Sequence, residues 1–168
     1  MVEIIGKKMR RTVIIAIILF GLDAFVFNQG VIAFITLFAL PILFIRALIG
    51  WKDKPLLKKR LNACGIYFLM SILIFSSIGI NNKIARSRAE VLIAACEKYK
   101  DKNNEYPEKL SDLVPDFISK VPVAKYAHMS KRFYYIKSEE SHQLFYMAMP
   151  PFGRPTYNFE RQEWLYID

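Results

Sequence analysis

Two histidines, His128 and His142, are the only imidazoles in the chain, and each has a serine close by, Ser130 and Ser141. Nucleophilic catalysis needs a hydroxyl or thiol, a base within hydrogen-bond reach and a third group that orients the base. Nearness in sequence supplies none of that geometry, and the HExxH, GxSxG, Walker and GxGxxG patterns are all absent. Asp112 and Asp116 lie four apart around Pro115. They read as solvating one helical face rather than as an acid–base pair. Cys64 and Cys96 stand alone, with neither a CxxC nor a zinc spacing. Asp23 is different, because it interrupts an apolar run. An ionisable residue inside a spanning helix is by default a functional candidate. The other reading places it near the outer interface, since a polar turn follows five residues later. Taken together, these residues predict no enzyme, no cofactor and no metal.

The elements that carry them fall into two regions. From Thr12 to Leu48 only Asp23 and Arg46 are charged, and from Leu61 to Ile80 nothing is. A spanning helix needs about 20 apolar residues. The segments at about 12–28 and 31–50 read as a helical hairpin reversing at Asn28-Gln29-Gly30, and 61–80 reads as a third crossing. Pro41 is expected to kink the second helix, and Arg46 can snorkel to the inner surface. Residues 1–60 are thus a transmembrane hairpin with basic ends.

The net charge of +9 divides unevenly. Residues 1–80 hold 10 Lys and Arg against 3 acids, and residues 81–168 hold 14 against 12. The excess therefore lies beside the apolar runs, where topology explains it, and the expectation is no nucleic-acid partner. KKMRR and WKDKPLLKKR belong on the cytoplasmic side, which sends the chain after Ile80 out of the cytoplasm. The expected location is a bacterial inner membrane, multi-pass, with the N-terminus cytoplasmic and the C-terminal domain periplasmic or extracellular.

In residues 81–168, Ala85, Ala89, Leu92, Cys96 and Tyr99 form one stripe of an α-helix. The third crossing is expected to run straight into this stripe, from about Leu61 to Lys102, and Arg86–Glu90 is an i, i+4 pair. Asn103 and Asn104 can end the helix, and Pro107 suits the first position of a short one. Segments 132–137 and 142–149 read as a hairpin around SEES, and 156–159 and 164–167 as another around ERQE. The fold class is α+β: three transmembrane helices, the third continuing into a helix packed on a small antiparallel sheet. Ten of the 24 aromatic residues fall between Phe133 and Asp168. Phe152, Tyr157, Phe159, Trp164 and Tyr166 are the candidates for binding a partner. The alternative is that they pack crosswise on the sheet.

From ILIFSSIGINNKIARSRAEVLIAACEKYK through DKNNEYPEKLSDLVPDFISKVP to the final aromatic hairpin, about residues 61–168, the chain resembles the type IV pilins and type II secretion pseudopilins, especially the major pseudopilin-like branch. The resemblance implies a helical spine against an antiparallel sheet, outside the cytoplasm, without catalysis. Two extra crossings precede the spine here. Met70 stands where the family has its registering Glu, and the PPFGRP loop offers no carboxylate for calcium.

The resulting expectation is a non-enzymatic inner-membrane protein that presents a pilin-like protein-binding domain, with an accessory or scaffold role in a secretion or envelope system. Its partners would be the lipid bilayer and another protein, with self-association into a homo-oligomer left open. The alternatives are an immunity protein that neutralises a toxin acting in the membrane or periplasm, and a membrane enzyme using Asp23.

Overall fold

The computed structural model describes residues 2–138, 141–148 and 153–167, with side chains from Met9 onward. It divides into two compact units, Met1–Ile78 and Gly79–Asp168. The class is α+β, with three long helices and one four-stranded antiparallel sheet.

In the first unit, α1 (Val2–Gly21) passes directly into six π-helical residues, Leu22–Phe27. The wider turn ends where Asn28 adopts a left-handed φ of 53° and its N–H reaches Asp23 O. Gly30, with a φ of 74°, completes the reversal and caps α2 (Val31–Ile49). Pro41 sits inside α2 without ending it. A turn then leads to Asp53, whose carboxylate accepts the Leu56 N–H at 3.0 Å and starts α3 (Lys54–Asn103). The basic stretch up to Arg60 is therefore largely helical, and α3 begins seven residues ahead of the expected Leu61.

Among the described residues two helices, α2 and α3, are long and apolar enough to cross a membrane; three were expected. The first apolar run, 12–27, is only sixteen residues, its α-helix stops at Gly21, and the rest of α1 is basic.

In the second unit, α3 runs on to Asn103 and stops at Asn104, which has a φ of 62° and donates its N–H to Lys100 O at 2.7 Å. Pro107 does not open the next helix. That element is a single 3-10 turn, Leu110–Leu113, and Pro107 lies buried in the extended segment before it. Four strands follow: β1 (Phe133–Lys137), β2 (His142–Tyr146), β3 (Arg154–Asn158) and β4 (Glu163–Ile167). They pair in sequence order as an antiparallel meander. Pro155 falls where β3 pairs only with β4, so its missing N–H breaks no bond to β2.

The helical stripe read from the sequence is the core. Ala85, Ala89, Leu92 and Cys96 are fully buried against Leu113, Phe133, Leu144, Tyr146 and Phe159, and Tyr99 packs at the margin. The expected Arg86–Glu90 pair is present at 3.5 Å.

Candidate functional site

The Asp23 carboxylate has no solvent exposure. Its position at the π-helical end of α1 aims it at the start of α2, where Oδ1 accepts the Gly30 N–H at 2.9 Å and the Gln29 N–H at 3.3 Å. Oδ2 accepts the Ile32 N–H at 2.9 Å. Buried backbone donors at a helix N-terminus need acceptors, and a carboxylate there also matches the positive end of the dipole. The side chain is thus the cap of the hairpin turn. Only a view of the folded turn gives this role, because the three donors lie six to nine residues downstream.

The five aromatic candidates do not form one surface. Phe159 is 1% exposed and packs against Tyr106, Tyr135 and Tyr157 at centroid distances of 5.0–5.9 Å, so it belongs to the core and is not available to a partner. Tyr157 and Trp164 are half-buried beside it on the face toward α3, 5.4 Å apart. The Arg86 guanidinium covers the Trp164 ring at 3.6 Å. Tyr166 is open, at 74%. Phe152 lies outside the described residues.

The opposite face of the sheet carries a different set. Tyr134 and Phe145 are directly opposed in register and stacked, with centroids 5.0 Å apart and planes at 12°. Ile136 lies on the same face of β1, Leu165 and Ile167 on that of β4, and the Arg154 guanidinium stands 6.0 Å from the Phe145 ring. Tyr134, Ile136 and Ile167 are all exposed. Strand alternation contained this patch, but with aromatics on both faces it did not say which face was free.

The other titratable groups gather at the junction of α3 with the sheet. Glu160, in the turn after β3, reaches back to β2. Its Oε2 accepts the His142 N–H at 2.9 Å, and its Oε1 lies 2.7 Å from His142 Nδ1. Burial pushes the Glu160 carboxyl up, but these bonds to His142 outweigh it and hold the group below its usual range. The Tyr106 ring packs at a tilt of 48° against His142 with centroids 4.9 Å apart, and its hydroxyl donates to Glu97 at 3.0 Å. Burial, then that bond to Glu97, raise its pKa.

His142 Nε2 and the Tyr135 hydroxyl are buried without a partner among the described residues. The nearby Cys96 thiol is no nucleophile, since burial, reinforced by the Glu97 charge, pushes it up to about 12. Asp112 accepts the Lys109 N–H at 3.1 Å and Asp116 faces Lys102 at 3.9 Å, so the two acids serve different elements. Among the described residues no three His, Cys, Asp or Glu side chains gather as a metal site would require.

No family model, curated protein or solved structure matches the chain.

Proposed function

We propose that this chain is a non-enzymatic protein of a bacterial inner membrane whose residues 79–168 form a pilin-like, protein-binding domain outside the cytoplasm. The observation that carries the reading is the apolar exterior of the first unit. Phe38 is 79% exposed and Ile49 78%, and large aliphatic side chains of α1, α2 and α3 stand outward with them. In water such a belt would far exceed the few hundred Å2 of apolar patch typical of a soluble monomer. In lipid it is the expected surface. The helical backbone also satisfies its own hydrogen bonds, as a bilayer demands.

α1 supplies a third crossing on this reading, with its π-helical end making up part of the missing length. Basic residues at the start of α1, at the end of α2 and in the first turns of α3 favour the cytoplasm for those ends on this reading, and α3 then carries the chain out. The spine-on-sheet core supports the pilin-like assignment of the outer part. The stacked Tyr134–Phe145 pair, with Ile136 and Arg154 beside it, is the partner face, because it combines exposed aromatic area with a cation at its rim.

The test combines topology and capture in the full chain. A C-terminal alkaline phosphatase fusion is expected to be active. A photo-crosslinking side chain at position 134 is expected to trap an envelope protein that a crosslinker at Lys98, on the exposed side of α3, does not. A silent reporter on a well-expressed fusion refutes the topology. Equal trapping at both positions refutes the face.

A further inference from the structure

The face of the first unit between α2 and α3 is not filled by protein. A groove of about 650 Å3 runs between them, with Pro41 and Phe44 on one wall and Cys64, Gly65 and Phe68 on the other. That volume lies within the roughly 300–1,000 Å3 of small-molecule sites. Gly65 forms part of its floor, and a Cβ built there meets nothing within 4 Å. The fold therefore does not require glycine at this point, although glycine in a helix interior costs about 1 kcal/mol relative to alanine.

A smaller pocket of about 240 Å3 adjoins the groove through the shared Cys64 and is lined by Arg46 and Arg60. Arg60 Nη1 donates to Arg46 O at 2.7 Å, at the C-terminal end of α2. Gly50 makes the approach possible, since a Cβ there would stand 2.8 Å from that nitrogen. A guanidinium has five N–H donors, so this bond fixes Arg60 and leaves donors to spare. Neither arginine forms a salt bridge among the described residues. The one acid of the connecting turn, Asp53, caps α3 instead.

We propose that this combined site holds an anionic phospholipid of the cytoplasmic leaflet, its phosphate between Arg46 and Arg60 and one acyl chain in the groove past Gly65. The proposal rests on the membrane reading above. Charge complementarity selects the occupant: two arginines from different helices line the smaller pocket, and the adjoining groove is lined by no charged side chain. A soluble phosphate compound would leave the groove empty, and a zwitterionic lipid would bring a cation against two others. Basic pockets between spanning helices on the cytoplasmic side recognise anionic headgroups in this way, and arginine forks match phosphate oxygens in pairs.

The full chain is reconstituted in an equal mixture of phosphatidylcholine and phosphatidylglycerol, extracted in mild detergent, and its retained lipids are counted by native mass spectrometry. Wild type is expected to keep phosphatidylglycerol in preference. R46Q, which leaves the Arg60 bond to the backbone in place, should lower that preference about fivefold, and R46Q/R60Q about fivefold again. G65L should abolish retention while the helical circular dichroism is unchanged. K52Q/K58Q removes the same charge from exposed lysines in the same segment and should retain lipid as wild type does. Equal losses in R46Q/R60Q and K52Q/K58Q would show general attraction to the surface and overturn the site. So would a wild type without preference, or full retention in G65L. Alkaline carbonate extraction separates the two levels. A chain released by carbonate overturns the membrane reading itself, whereas one that stays in the pellet without lipid preference overturns only the site.

Discussion

Replacing Asp23 with alanine should be one of the most damaging single changes in the helical unit. The carboxylate is fully buried and holds two backbone N–H groups at 2.9 Å and one at 3.3 Å. Hydrogen bonds to a charged acceptor contribute about 1.5–3 kcal/mol each. Taking the lower figure for the two short bonds and almost nothing for the long one gives about 3 kcal/mol. The helix-dipole contribution adds about 1 kcal/mol, for a total loss near 4 kcal/mol. Asp23→Asn keeps one carbonyl oxygen but loses the charge and turns an amide toward other donors, so about 2 kcal/mol is expected.

Asp53 provides the control. It caps α3 through the same chemistry at 3.0 Å, but it is solvent-exposed, and Asp53→Ala should cost only about 1 kcal/mol. The assay is unfolding of the detergent-solubilised full chain in an SDS titration, followed by far-ultraviolet circular dichroism. Equal losses for Asp23→Ala and Asp53→Ala would refute the argument from burial. A stable Asp23→Asn chain that no longer captures its partner would refute the cap as the residue's whole role.

In the second unit, Tyr106→Phe removes the hydroxyl held by Glu97 at 3.0 Å and should lower thermal stability by about 1–2 kcal/mol. A double-mutant cycle with Glu97→Ala, which removes the acceptor, should recover most of that loss as coupling. Burial pushes the Lys125 ammonium down to about 8, against about 10.4 in an unfolded chain. Between these values the unfolded state binds more protons at Lys125, so the contribution of this residue to stability should rise with pH from about 8 to about 10. The buried Cys96 thiol and Tyr106 hydroxyl, both shifted up, give the opposite slope in any variant that keeps them, so the readout is the difference between wild type and Lys125→Met, which should move in favour of wild type through that window in pH-dependent melting. Cys96 is completely buried while Cys64 lines the groove between α2 and α3. A maleimide should therefore label the folded chain at Cys64 alone, and Cys64→Ser should abolish labelling until denaturant is added.

The helical part was legible because it is set by local rules. The stripe from Ala85 to Tyr99 repeats at helical spacing, and its members are the buried face of α3. Asn104 ends the helix through the left-handed conformation that asparagine tolerates. What escaped depended on geometry that spacing does not carry. Lys54 to Arg60 read only as a basic segment ahead of the third crossing, yet Asp53 as a cap and Pro55 in a first turn are helix-start signals. The charge that marked the segment says nothing about its conformation. Pro107 read as a helix start, but the next helical turn begins only at Leu110, with Tyr106 buried against His142 and Phe159. That tertiary contact overrides the local preference.

The candidate site was less legible, and the reason lies in the period of a strand. A strand announces its two faces only when one is apolar and the other polar. In β1 the alternating sets are Phe133, Tyr135 and Lys137 against Tyr134 and Ile136, and each carries a large aromatic side chain. Choosing between them needs the α3 contact, which buries Phe133 and leaves Tyr134 outside. The same ambiguity made Phe159 and Trp164 look available, although Phe159 lies in the core and the Arg86 guanidinium covers the indole of Trp164. Asp23 escaped for a related reason. Its partners are backbone N–H groups, which every residue carries, so no residue type in the turn marked them. Where the partner of a side chain is the chain itself, sequence reveals the charge and hides its use. Conversely, two charges with no acidic partner among the described residues, as at Arg46 and Arg60, are where an outside ligand is to be sought.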